Sequence, residues 1–138
     1  MTTPHRVVNP EGLAPPVGFA HAVVAAPGRT VYLGGQAAQG PDGRIVGDSV
    51  TEQFEVAAGN LVAALAAAGG APEHLVSLHV YTTEIDRYRA SLGELGAAYR
   101  RHLGRHYVAT ALFAVAGLFD PQAKVELVGI AVVPEEEP

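Results

Sequence analysis

The chain has 138 residues, of which 49% are hydrophobic and 17% charged, with a formal charge of −5 and no cysteine. That length and balance hold one domain with a substantial core and exclude both a two-domain and a disordered chain. The missing cysteines exclude a disulfide framework, a thiolate nucleophile and a cysteine-ligated metal.

Taken in chain order, the first strand signal is at residues 20–26, after a stretch at 1–8 that reads as an arm or short strand. Pro27-Gly28 turns the chain into a second strand at 30–33, so the two read as an opening antiparallel pair, and Pro41-Asp42-Gly43 is a further turn. Ser49 and Glu52 have capping-box spacing, which starts a helix near Val50. Phe54, Ala57, Ala58, Leu61, Leu65 and Ala68 then recur on one helical face until Gly69-Gly70 ends it. Gly59 costs that helix roughly 1 kcal/mol of propensity against alanine, for no reason visible in the sequence.

Val76, Leu78 and Val80 alternate with Ser77, His79 and Tyr81, the pattern of a half-buried strand. Asp86 is placed to cap a second helix with Tyr88, Leu92, Leu95, Tyr99 and Leu103 as its buried stripe, ended by Gly104. Two last strands follow at 108–115 and 124–133, and 134–138 reads as an acidic solvated tail. The order β-β-α-β-α-β-β predicts a single α+β domain over 1–138, a mixed sheet with two helices on one face. Val128 and Ile130 beside Leu127, Gly129 and Ala131 make the last strand apolar on both sides, so the uncovered sheet face predicts association.

No apolar run reaches membrane-span length and no signal-peptide pattern opens the chain, so the expectation is no membrane segment and a cytoplasmic protein. Arg100-Arg101-His102, with Arg105 and His106, is the one dense basic cluster. It reads as a helix end matched to the helix dipole rather than as a nucleic-acid site on an acidic chain. His102 and His106 have the i, i+4 spacing of metal ligands, but Gly104 breaks the helix between them and no third ligand is evident. The expectation is no metal and no cofactor: there is no P-loop, no GxGxxG fingerprint and no GxSxG elbow.

Three segments, Gly18-Phe19-Ala20-His21-Ala22-Val23, Val31-Tyr32-Leu33-Gly34-Gly35-Gln36 and Val125-Glu126-Leu127-Val128-Gly129-Ile130-Ala131, resemble the RidA/YjgF family of imine-deaminating proteins. Gln53 with Asn60, Ala67-Ala68-Gly69, Val80-Tyr81 with Asp86, and Tyr99 fit the same order, so the resemblance covers about residues 9–132. It implies a homotrimer of the chorismate-mutase-like fold, its sheets packed into a central barrel, with small-molecule clefts between subunits.

The resemblance also implies where the cleft residues fall and where they depart from the family. The arginine that grips a substrate carboxylate falls at Thr110, within Val108-Ala109-Thr110-Ala111. A tyrosine becomes Phe19, the serine before Gly-Gln becomes Gly34, and an asparagine on the second helix becomes Gly96; Gly35, Gln36 and Glu126 are retained. A guanidinium binds a carboxylate through two charge-assisted bonds, whereas threonine offers one neutral hydroxyl. Either the substrate is not a small carboxylated imine, or another cation replaces the arginine; His21, Arg105 and Arg6 are candidates by residue type.

Glu126 is the acid singled out, because a carboxyl inside an apolar strand can be tuned for proton transfer. The plainer alternative is a solvent-facing edge shared with Lys124. His21 adjoins a cleft segment and is its candidate partner, while His79 reads as a core or solvent-facing histidine. Gly34-Gly35 either brings backbone amides close to a ligand or marks a bulge.

The leading expectation is therefore acid–base hydrolysis or deamination of a small imine, enamine or related carbonyl compound by Glu126 and His21. Phe19, Gly34, Gly35, Gln36, Gly96 and Thr110 would shape the cleft, with uncharged substrates preferred over aminoacrylate-type imines. The alternative is a trimer that binds a metabolite without turnover; RNA cleavage or translation inhibition ranks last on an acidic chain.

Overall fold

The computed structural model of the chain describes residues 2–135; the rest of the expected acidic tail, 136–138, lies outside them. In chain order the strands and helices are β1 (Arg6–Val8), β2 (Ala22–Val24), β3 (Arg29–Ala37), α1 (Val50–Ala67), β4 (Leu75–Thr82), α2 (Ile85–Ala90), α3 (Leu92–Leu103), β5 (Ala109–Ala114) and β6 (Val125–Val133). A short 3-10 turn, Pro72–His74, leads into β4.

The main sheet has the order β3-β6-β4-β5, antiparallel except for the parallel β4–β5 pair, and it agrees with the expected mixed α+β architecture. The expected opening hairpin does not form: β2 pairs with β1 in a separate two-stranded sheet, and β3 pairs with β6. Gly28 permits the exchange, since it lies so close to the Val133 carbonyl that no β-carbon fits. The turn is thus pinned to the end of β6, and β3 runs back along that strand. The arm is held as well, by buried His5, whose Nε2 donates to the carbonyls of His74 and Val132 at 3.0 Å each.

Helix α1 starts as the capping box requires, with the Glu52 amide donating to Ser49 Oγ at 3.0 Å. Its apolar face, Phe54, Ala57, Ala58, Leu61 and Leu65, is buried against the sheet. The second helix differs from the single stripe expected. It breaks at Ser91 into α2 and α3, and Asp86 lies inside the first turn rather than at the cap. Leu92, expected in the core, is 60% exposed as a result. At Gly59, where α1 meets α3, a β-carbon would stand 3.3 Å from His102 Cε1, so the imidazole would have to shift slightly.

Along β6, Val125, Leu127, Gly129, Ala131 and Val133 point under the helices and are buried. Glu126, Val128 and Ile130 point to the opposite face, which no helix among the described residues covers. That open face also carries Tyr32, 79% exposed, and Phe113, 43% exposed. Rings gather on it: Tyr81 stacks on Phe113 with centroids 5.4 Å apart, and His79 meets Phe113 edge-on at 5.7 Å.

Candidate functional site

The cleft residues expected from the sequence separate into two groups. Phe19, Gly96 and Thr110 line one cleft of about 560 Å³ between α3, β5 and the segment before β2. Its walls are mostly rings and aliphatic groups: Phe54, Tyr88, Tyr99 and Tyr107 with Leu95 and Leu112. Tyr99 and Tyr107 stack at 5.4 Å and 14°. Burial raises the Tyr99 phenol above its ordinary value, with the neighbouring Tyr107 adding to the effect; burial alone raises Tyr88. Both phenols stay protonated at neutral pH, and the Tyr99 hydroxyl donates to the His106 carbonyl at 2.5 Å.

Thr110 donates its hydroxyl to the Val108 carbonyl at 2.8 Å, so its one proton is already committed. The charged side chain in this cleft is Arg100, one turn beyond Gly96 on α3. Its Nη1 lies against the Gly96 backbone, where a β-carbon would stand only 3.2 Å away. Arg100 has no salt bridge or side-chain hydrogen bond among the described residues, whereas Arg101 pairs with Glu55 at 2.6 Å. The i, i+4 spacing of Gly96 and Arg100 is the sequence signal for this approach, and it lay inside a run read as a basic helix end.

Glu126 belongs to the other group. It is paired with Tyr81 and Ala37 on the open face, while Thr110 pairs with buried Leu78 on the helix-covered face. Gly35 lies against the carboxylate, at a β3–β6 register shift; a β-carbon built on it would fall 2.8 Å from Glu126 Oε2. Gly34 has open space around it, and Gln36 donates its amide back to the Gly34 carbonyl at 3.3 Å. The glycine pair thus sits at a bulge and also allows close approach to an acid. Lys124 does not share an edge with Glu126: its Nζ reaches the Asp48 carbonyl at 2.5 Å and Glu84 at 3.5 Å.

Within one protomer the structure does not bring His21 to Glu126. Ala20 bridges to Ala109 beyond β5, so His21 lies three strand spacings from β6, about 14 Å across the sheet. Its Nε2 bonds the Ala14 carbonyl at 2.7 Å and its ring meets Phe19 edge-on at 5.1 Å. Arg105 lines a separate hollow of about 510 Å³ on the far side of Phe19 and Tyr107. Arg6 is exposed on β1 and lines neither space. His102 bonds Glu55 at 2.9 Å and buried His106 donates to the Leu75 carbonyl at 2.8 Å, so these imidazoles turn to different partners. Among the described residues no group of three His, Asp or Glu side chains converges as a metal site, and no helix is long and apolar enough to cross a membrane.

Gln53 and Asn60, the helix pair noted in the sequence, serve the scaffold. Gln53 donates to the Gly47 and Gln122 carbonyls at 3.1 Å each and accepts from the Lys124 amide, and Asn60 donates to the Ala37 and Gln39 carbonyls.

Residues 11–133 match the model of the family described as endoribonuclease L-PSP. The fold is similar to that of YyfB from Yersinia pestis, a protein of unknown function in the conserved Rid family, with 31% identity and a TM-score of 0.84 over 94% of this chain and 98% of that one. Rv2704 from Mycobacterium tuberculosis, of the YjgF/YER057c/UK114 family, is 26% identical with a TM-score of 0.64, covering 94% and 99% of the two chains. Yeast Mmf1 is 26% identical with a TM-score of 0.65, covering 93% and 98%. No curated protein sequence matches the chain.

Proposed function

Because this chain belongs to the Rid (YjgF, L-PSP) family, we propose that it acts on a small imine, enamine or related carbonyl compound, with Glu126 moving the proton, in clefts completed by neighbouring copies. The observation that carries the reading is the half-buried Glu126 carboxylate laid against Gly35, with no side-chain hydrogen bond or salt bridge among the described residues. An acid kept free of partners next to backbone that a ligand can approach is suited to protonate a leaving amine or to activate water.

The two groups of cleft residues support assembly as part of the reading. Phe19, Gly96 and Thr110 open on one side of the sheet and Glu126 on the other, so Glu126 does not reach the aromatic cleft within one protomer, which supports completion by a second copy. The exposed apolar face of Tyr32, Phe113, Val128 and Ile130 gives such a copy a surface to bury, and a homotrimer is the assembly proposed. The expected His21 role would require the same arrangement, His21 of one copy facing Glu126 of the next.

Imine hydrolysis by the purified protein tests this reading, with aminoacrylate-derived and uncharged imines compared and Glu126→Gln as control. Glutamate-dependent release of carbonyl product is the expected result. Equal rates for the variant and the native protein would end the assignment of Glu126. Saturable binding without product would favour the metabolite-binding trimer, a reading supported by the committed hydroxyl of Thr110 and the phenyl ring of Phe19.

A further inference from the structure

We propose that Arg100, reaching from α3 across Gly96, is the carboxylate anchor of the aromatic cleft, and that the cleft takes a small planar carboxylate. The proposal deepens the reading above and rests on it only in taking this cleft as the ligand site.

Four observations converge on it. Arg100 is the charged side chain lining a cleft otherwise walled by rings and aliphatic groups. Its guanidinium has no acidic partner among the described residues, although its neighbour Arg101 is tied to Glu55. Glycine at 96 leaves the space through which the guanidinium approaches, at a helix-interior position where glycine costs propensity and needs a reason. Thr110, across the cleft, is short and has donated its proton to Val108, so it neither fills the volume nor competes for the anion.

A guanidinium presents paired donors that match the two oxygens of a carboxylate, and it stays charged at any working pH. The rings of Tyr99, Tyr107 and Phe19 line the same cleft and suit a planar apolar group for the rest of the molecule. The cation would thus come from a helix rather than from strand β5. This reverses the preference for uncharged ligands that Thr110 alone implies.

Titration calorimetry with benzoate and with benzamide tests it on the intact protein, because the two probes share a ring and differ in charge. Native protein is expected to bind benzoate about tenfold or more tighter than benzamide, the advantage of a charge-assisted pair. Arg100→Gln should bring benzoate down to the affinity that the same variant shows for benzamide. Arg100→Lys should retain part of the difference, and Gly96→Ala should weaken benzoate more than benzamide, because its β-carbon would press on the guanidinium. Arg105→Gln, in the neighbouring hollow, should change neither.

Equal affinities for the two probes, no benzoate binding, or undiminished benzoate binding by Arg100→Gln would each overturn the anchor. Glu126-dependent turnover of uncharged imines would survive those results, so the two proposals fail separately.

Discussion

The two faces of the main sheet are made by alternate residues of the same strands, yet they have opposite fates. On one, Leu78, Val80, Val125 and Leu127 are sealed beneath α1 and α3. On the other, Tyr32, His79, Tyr81, Phe113, Val128 and Ile130 stay open or half-buried, with Glu126 among them. The covered face answers to the stability of a single chain, because these four side chains are already buried in the core with the helices. The open face spends apolar surface without intramolecular return, and it holds the acid; both facts make sense together if a neighbouring copy closes it.

The largest effects expected from this contrast lie on the open face. Glu126→Gln should lower imine turnover by about 100-fold or more, read in steady-state hydrolysis, with sedimentation unchanged. Native protein is expected to sediment as a trimer and Ile130→Arg as a monomer, since a desolvated unpaired charge is not tolerated in an interface core. A native protein that sediments as a monomer would remove the explanation of the open face altogether.

On the covered face, Leu127→Ala should cost about 2–5 kcal/mol in urea denaturation, the range for a buried leucine truncated to alanine. Gly35→Ala should separate function from stability. Its β-carbon would crowd only the movable end of Glu126, so unfolding should shift by less than about 1 kcal/mol while turnover falls.

The smallest effect lies outside both faces, where α1 meets α3. The hydrogen bond from Arg101, with His102 assisting, holds the Glu55 carboxyl below its ordinary value despite partial burial. A depressed folded pKa stabilises above the unfolded carboxylate range, and the contribution is lost as pH falls through the lowered value. Melting curves of native protein and Glu55→Gln should therefore differ slightly near neutrality and converge in acid. The pair is substantially exposed, so added salt should shrink the difference.

Local chemistry made much of the fold legible. Ser49 with Glu52 marked the start of α1, and Gly69, at φ +89, its end. The alternation in β4 separated Leu78 and Val80 from His79 and Tyr81 as the structure does. These signals depend on neighbours a few residues apart, where period and capping are decided. The opening hairpin was misread for the converse reason: β3 finds its partner in β6, about a hundred residues later, and Pro27-Gly28 alone carries no record of that contact.

The candidate site divides the same way. The sequence by itself determined which residues are chemically able to act: a glutamate in an apolar strand, a glycine pair, and threonine at 110. The packing of distant segments puts Thr110 and Glu126 on opposite faces of one sheet, and lays the exposed Arg100 over Gly96 along the aromatic cleft. A side chain's chemistry is carried by its own residue. Its environment is set by register, packing and the helix it stands on, which arise only when distant segments meet.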